Sequence, residues 1–164
     1  MLNLFSPRQR LFNKTDSAQA SLRAIIFSIR DYWFALPIEA VIKILPCPPI
    51  NSPSKEGISI VDLEDRTITV VDLLYKLGHL EEESQIEKTC VLQRFLILTM
   101  TQTEEIFGLL VEHSPTLIDI PLNTIRTVPL SYRQVIELNF VKQMAILTDT
   151  QEQQPLKVFL LGTV

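Results

Sequence analysis

The side chains best suited to chemistry are few and scattered in this sequence. There are two histidines, His79 and His113, and two cysteines, Cys47 and Cys90. None of them stands at metal-ligand spacing from another, and there is no CxxC. Carboxylates are plentiful, but none is spaced as a general acid and base pair. GxGxxG, P-loop, GxSxG and HExxH patterns are all missing. The expectation is no catalytic residue, no metal and no cofactor, with two reduced thiols and two ordinary surface histidines. What remains is the chemistry of recognition, apolar contact and charge, which shifts the reading from an enzyme towards a binding or scaffolding protein.

The balance of residues narrows the partner. Net charge is −4 over 164 residues and the pI is about 5.2. Nucleic acid is disfavoured, because binding it rests on neutralising phosphates with Lys and Arg. No apolar run approaches eighteen residues, so no transmembrane helix or membrane insertion is expected. The first twenty residues lack the apolar run of a secretory signal. A cytoplasmic protein is expected, in which Asn13-Lys14-Thr15 would be a chance sequon. Through Ala24, Arg8, Arg10, Lys14 and Arg23 oppose only Asp16, a net of +3, which leaves −7 for the rest. Residues 1–22 are expected to form a flexible tail. Its apolar members, Leu2, Leu4, Phe5, Leu11 and Phe12, offer the alternative of a docking arm.

Residues 58–78, ISIVDLEDRTITVVDLLYKLG, organise the rest. Two apolar strands flank the polar turn Glu64-Asp65-Arg66. Asp72 stands at a helix N-cap, able to accept from Leu74 or Tyr75, and Gly78 would close that short helix. Upstream, Ala24 to Ile29 and Tyr32 to Leu36 read as a strand pair about the Arg30-Asp31 turn. Trp33 is expected as a packed or half-exposed strand residue rather than a ligand platform. Pro37 could open a helix, and Ile38, Val41, Ile42 and Leu45 recur as one buried helical stripe that Pro46, Pro48 and Pro49 end. Residues 46–56, with four prolines, read as a surface crossing. Glu81, Glu82, Glu83 and Glu87 lie in an acidic loop. Strands are expected at Cys90 to Met100, Ile106 to Val111, Thr116 to Ile120, Val135 to Leu138, Met144 to Thr148 and Pro155 to Leu161. Gly108, inside one of these, marks a bulge or a close approach. Residues 121–134 read as a loop. About ten short strands with so little helix predict an all-β fold of barrels or a sandwich.

The order of these blocks resembles the CheW-like adaptor domains of bacterial chemosensory arrays. YWFALPIEAVIKIL, Ile68-Thr69-Val70-Val71-Asp72-Leu73, Phe107-Gly108-Leu109-Leu110-Val111-Glu112 and the closing strand to Leu161 carry the likeness, over about residues 22–164. The resemblance implies two interlocked five-stranded SH3-like barrels with a few short helices, residues 23–164 forming the domain. It implies a non-catalytic adaptor holding a CheA-type histidine kinase to the cytoplasmic tip of a methyl-accepting chemoreceptor, whose helical hairpin would enter a groove between the lobes. A divergent module that couples no receptor is the alternative. An oligonucleotide-binding barrel would need a basic aromatic face, at odds with the −7 of the domain. The partner-binding residues implied are Val41, Lys43, Ile44, Leu63, Glu64, Asp65 and Glu112. Two depart from the family in sign: Lys43 replaces an acidic residue, and the Asp62-Leu63-Glu64-Asp65 stretch is acidic where the family is basic. Lys43 and Glu64 are therefore expected either to face each other at the partner surface as a swapped ion pair or to be two independent surface changes.

Overall fold

A computed structural model describes residues 20–50, 56–77, 94–101, 103–135, 141–148 and 154–162. Eleven strands run through them: β1 (Ser21–Ile29), β2 (Tyr32–Pro37), β3 (Val41–Pro46), β4 (Ile58–Leu63), β5 (Arg66–Asp72), β6 (Phe95–Met100), β7 (Ile106–Val111), β8 (Thr116–Pro121), β9 (Ile125–Thr127), β10 (Gln143–Leu147) and β11 (Leu156–Leu160). Two short helices, α1 (Leu73–Lys76) and α2 (Leu130–Val135), accompany single 3₁₀ turns at Ile38–Ala40 and Leu122–Thr124.

The strands form two curled sheets, ordered β8-β1-β2-β11-β10-β9 and β3-β6-β7-β5-β4. The chain leaves the first lobe after β2, builds the whole second lobe, then returns to finish the first. Parallel pairings clamp this exchange: β2 with β11 in the first sheet, β5 with β7 in the second. The expected all-β, two-lobed architecture is present. One lobe holds six strands, because the three-residue β9 extends its edge.

The near-continuous apolar runs now have a cause. Central strands are buried on both faces. From β1, Ile25, Phe27 and Ile29 enter a core shared by the lobes, while Ala24 and Ile26 enter the first lobe's own core. In β11, Phe159 serves the shared core and Val158 and Leu160 the private one. In β6 and β7, Ile97, Leu109 and Val111 face the shared core, and Leu96 and Leu110 a small second-lobe core with Val61 and Val70. Phe34 packs between Phe27 and Phe159, ring centroids 6.0 Å apart on each side. Burying each ring contributes about 1.5–3 kcal/mol.

Three local expectations fail. The stripe Ile38, Val41, Ile42, Leu45 is not a helix: one 3₁₀ turn follows Pro37, and Val41 onwards is strand. Val41, Ile42 and Ile44 are β-branched, and β6 offers an open edge whose hydrogen bonds outweigh a weak helical period. Ile42 is 48 % exposed, so that stripe buries no common face. Residues 121–134 are not simply a loop, since they hold a 3₁₀ turn, β9 and most of α2. Val135 ends α2 rather than opening a strand, in a helix whose first turn donates from Tyr132 and Arg133 to the Pro129 carbonyl. The acidic loop, Cys90, Gly78, His79 and residues 136–138 lie outside the described residues.

Candidate functional site

The hairpin at the centre of the sequence reading forms as expected. Leu63 pairs with Arg66 across the two-residue turn Glu64-Asp65, with Glu64 at φ +52°. Asp72 caps α1, accepting from the Leu74 N–H at 3.0 Å. Its other oxygen accepts from Arg94 Nη1 at 3.3 Å, a partner the sequence did not reveal. Together they seat Leu73 and Leu77 in the shared core.

Register then decides which side chains meet. β3 starts where β6 ends, Val41 opposite Thr99. β7 starts from the same end, Met100 opposite Ile106, and β5 runs parallel to β7, Thr69 beside Phe107. The Glu64-Asp65 turn, the β6–β7 turn and the first residues of β3 therefore share one end of the second sheet. Four expected partner residues come together there: Val41, Leu63, Glu64 and Asp65. Ile44 lies farther along β3, opposite Ile97. Glu112 follows β7 and lies at the opposite end, half-buried.

That end has an apolar row with an acidic border. Val41, Thr99, Phe107, Thr69 and Ile60 stand side by side across all five strands on one face. Val41 and Phe107 tuck against the shared core, and the row emerges at Ile60, 44 % exposed. Ile38, Ile42 and Met100 are exposed nearby. The border carries Glu39, Asp62, Glu64, Asp65, Glu104 and Glu105, with Arg66 in the same turn and Lys43 near the start of β3. Asp62 accepts from the Thr67 hydroxyl at 3.0 Å. An apolar centre inside a charged rim is the build of a protein-binding patch.

The swapped pair is not formed. β6 and β7 lie between Lys43 and the Glu64 turn, and among the described residues no ion pair joins the two. Lys43, opposite Leu98, points to the face away from Val41. Ile60, Glu104 and Glu105 share this end and were not singled out from the sequence. The phase of Ile58-Ser59-Ile60-Val61 held the clue: an alternating strand cannot bury all four, and it is Ser59 and Val61 that are buried.

Elsewhere a shallow pocket of about 270 Å³ opens at the first lobe, lined by Tyr32, Trp33, Tyr132 and Phe159 among others. Lys157 Nζ lies over the Tyr132 ring at 5.7 Å. Cys47 is half-buried, its thiol donating to the Pro48 carbonyl at 3.3 Å, and burial pushes that thiol above its ordinary pKa despite Arg94 nearby. Among the described residues no three His, Cys, Asp or Glu side chains converge as a metal site, and no helix is long and apolar enough to cross a membrane.

Comparison with known proteins agrees with this architecture. The family described as CheW-like domain matches residues 23–159. The crystal structure of scaffolding protein TtCheW from Thermoanaerobacter tengcongensis is similar, with a TM-score of 0.65 and 20 % identity over 89 % of this chain and 87 % of that one. No curated protein matches. With the family's pattern spanning both lobes and the interlocked sheets in place, this chain belongs to the family of CheW-like domains.

Proposed function

We propose that this chain is a non-catalytic cytoplasmic adaptor that couples methyl-accepting chemoreceptors to a CheA-type histidine kinase in a chemosensory array, for chemotaxis or for pilus-based motility or phototaxis. The match to the CheW-like family over residues 23–159 carries this reading. The apolar row and acidic border at the open end of the second lobe support it, since they suit a protein partner better than a small molecule. In this reading Val41, Ile44 and Leu63 supply apolar contact. Lys43 meets a carboxylate of the partner, Glu64 and Asp65 meet its basic groups, and Glu112 contacts it from the other end of β7. The sign of these charges selects the partner more than it strengthens binding, because a like-charge mismatch penalises the wrong one.

The test is capture from the native cells with the tagged chain as bait, followed by reconstitution. A CheA-type kinase and a methyl-accepting receptor should be recovered together, and the chain should make the kinase's autophosphorylation respond to the receptor. Recovery of the kinase without a receptor would favour a scaffold that couples none. Recovery of neither would overturn the proposal.

A further inference from the structure

The shallow pocket of the first lobe is built mainly from rings, and the adaptor reading makes no use of it. Phe159, 2 % exposed, forms its floor. Tyr32 packs on that floor at 6.2 Å between centroids and Tyr132 at 6.5 Å, so a buried ring braces each wall. Trp33, read from the sequence as a strand residue and not a platform, lines the pocket beside Pro155. The rim carries two opposite charges, Asp31 and Lys157. Asp31 is set there by the two-residue turn in which Arg30 takes φ +52°. Lys157 Nζ stands over the Tyr132 ring at 5.7 Å. Among the described residues neither charge is in an ion pair, so both are left to whatever enters. The pocket is remote from the crossing into the second lobe. Tyr32 opens β2, whereas the chain crosses after Pro37, about 17 Å farther along that strand.

Size and depth choose the occupant. At about 270 Å³ the pocket falls short of the roughly 300–1,000 Å³ clefts that enclose a free small molecule. A shallow floor also gives a long Phe or Trp anchor little to fill. Proline suits it better. Its ring is short and can lie flat on aromatic faces, and a proline-rich segment is already extended, so docking orders little more of it. We propose that this pocket is a docking site for an extended proline-rich segment of a partner protein. Its prolines lie on Tyr32, Trp33 and Tyr132, a basic residue of the segment meets Asp31, and an acidic one meets Lys157. Exposed charge pairs add little affinity, but a mismatch repels, so the two rim charges decide which proline-rich segments are accepted. The site is a second contact surface of the chain, and it stands whether or not the chain couples a receptor to a kinase.

Trp33 is the sole tryptophan of the chain, so its emission reads the pocket directly. The probe is a capped peptide of four prolines between one arginine and one glutamate, titrated into the full chain at low ionic strength. It should shift the Trp33 emission to shorter wavelength and saturate with a Kd of about 1 mM or tighter. The same peptide with alanine for every proline should bind at least about tenfold more weakly, because it must be ordered on docking. Lys157→Glu, an exposed change, should weaken the charged peptide about five- to tenfold and leave a peptide with glutamine at both ends within about twofold. No saturable shift with the proline peptide, or an equal response to the alanine one, would overturn the proposal. Equal effects of Lys157→Glu on the charged and the glutamine-ended peptides would overturn the reading of the rim charges.

Discussion

Gly108 offers the sharpest check on the packing that makes the second lobe. It lies in β7, between Leu98 of β6 and Val70 of β5. A Cβ built on it would stand 2.6 Å from Leu96 Cδ1, 3.2 Å from Leu96 Cγ and 3.3 Å from Val70 Cγ2. Both neighbours are fully buried, so neither has open space to retreat into. Gly108→Ala therefore overpacks the small core, at a cost of about 1–3 kcal/mol. At roughly 2–4 °C per kcal/mol for a chain of this size, Tm should fall by about 2–12 °C. Urea denaturation should show a lower midpoint with an unchanged slope. Leu96→Ala alone leaves a cavity and costs about 2–5 kcal/mol. It also removes the clashing methyls, so the double variant should be more stable than the sum of the single losses predicts, by about 1 kcal/mol or more. A Gly108→Ala variant within 0.5 kcal/mol of the parent, or strict additivity with Leu96→Ala, would refute the close approach.

The other expectations follow from single contacts. Asp72→Ala removes the α1 cap and strands a mostly buried Arg94, so it should cost about 1–3 kcal/mol by chemical denaturation. Arg94→Ala in that background should add little. Gly57→Ala puts a Cβ at φ +72° and 2.6 Å from Tyr75 Cδ1, and should lower stability by about 1–3 kcal/mol, measured by thermal melting. Cys47, read in a Cys90→Ser background, should react with iodoacetamide at pH 7 more slowly than a free thiol. Its folded pKa is raised, so the folded state holds the proton longer than the unfolded one. Any stability linked to it is present below the ordinary thiol pKa and declines as pH rises past it. Lys43→Glu with Glu64→Arg should change which proteins the tagged chain captures while moving stability by no more than about 0.5 kcal/mol, both positions being exposed.

Strand identity was legible wherever alternation or a two-residue turn fixed it. The Glu64-Asp65 hairpin, the Asp72 cap and the strand pair about Arg30-Asp31 all follow from neighbours in the chain, whereas the tightness at Gly108 is made by Leu96 and Val70, remote in sequence. The segment at 38–46 did not. Its β-branched residues also fit a helical period, and only the open edge of β6, remote in sequence, chooses strand. Arg94 was invisible as the partner of Asp72 for the same reason, the two standing 22 residues apart.

By itself the sequence determined that these segments are short, mostly extended and rich enough in apolar residues to bury both faces of the central strands. It determined the charge of each turn as well. The tertiary structure alone decided that Val41, Leu63, Glu64 and Asp65 share one end with Glu104 and Glu105 while Glu112 stands at the other, and that Lys43 and Glu64 do not meet. The physical reason is register: alternation along a strand says which residues share a face, but only pairing between strands distant in sequence says which of them become neighbours.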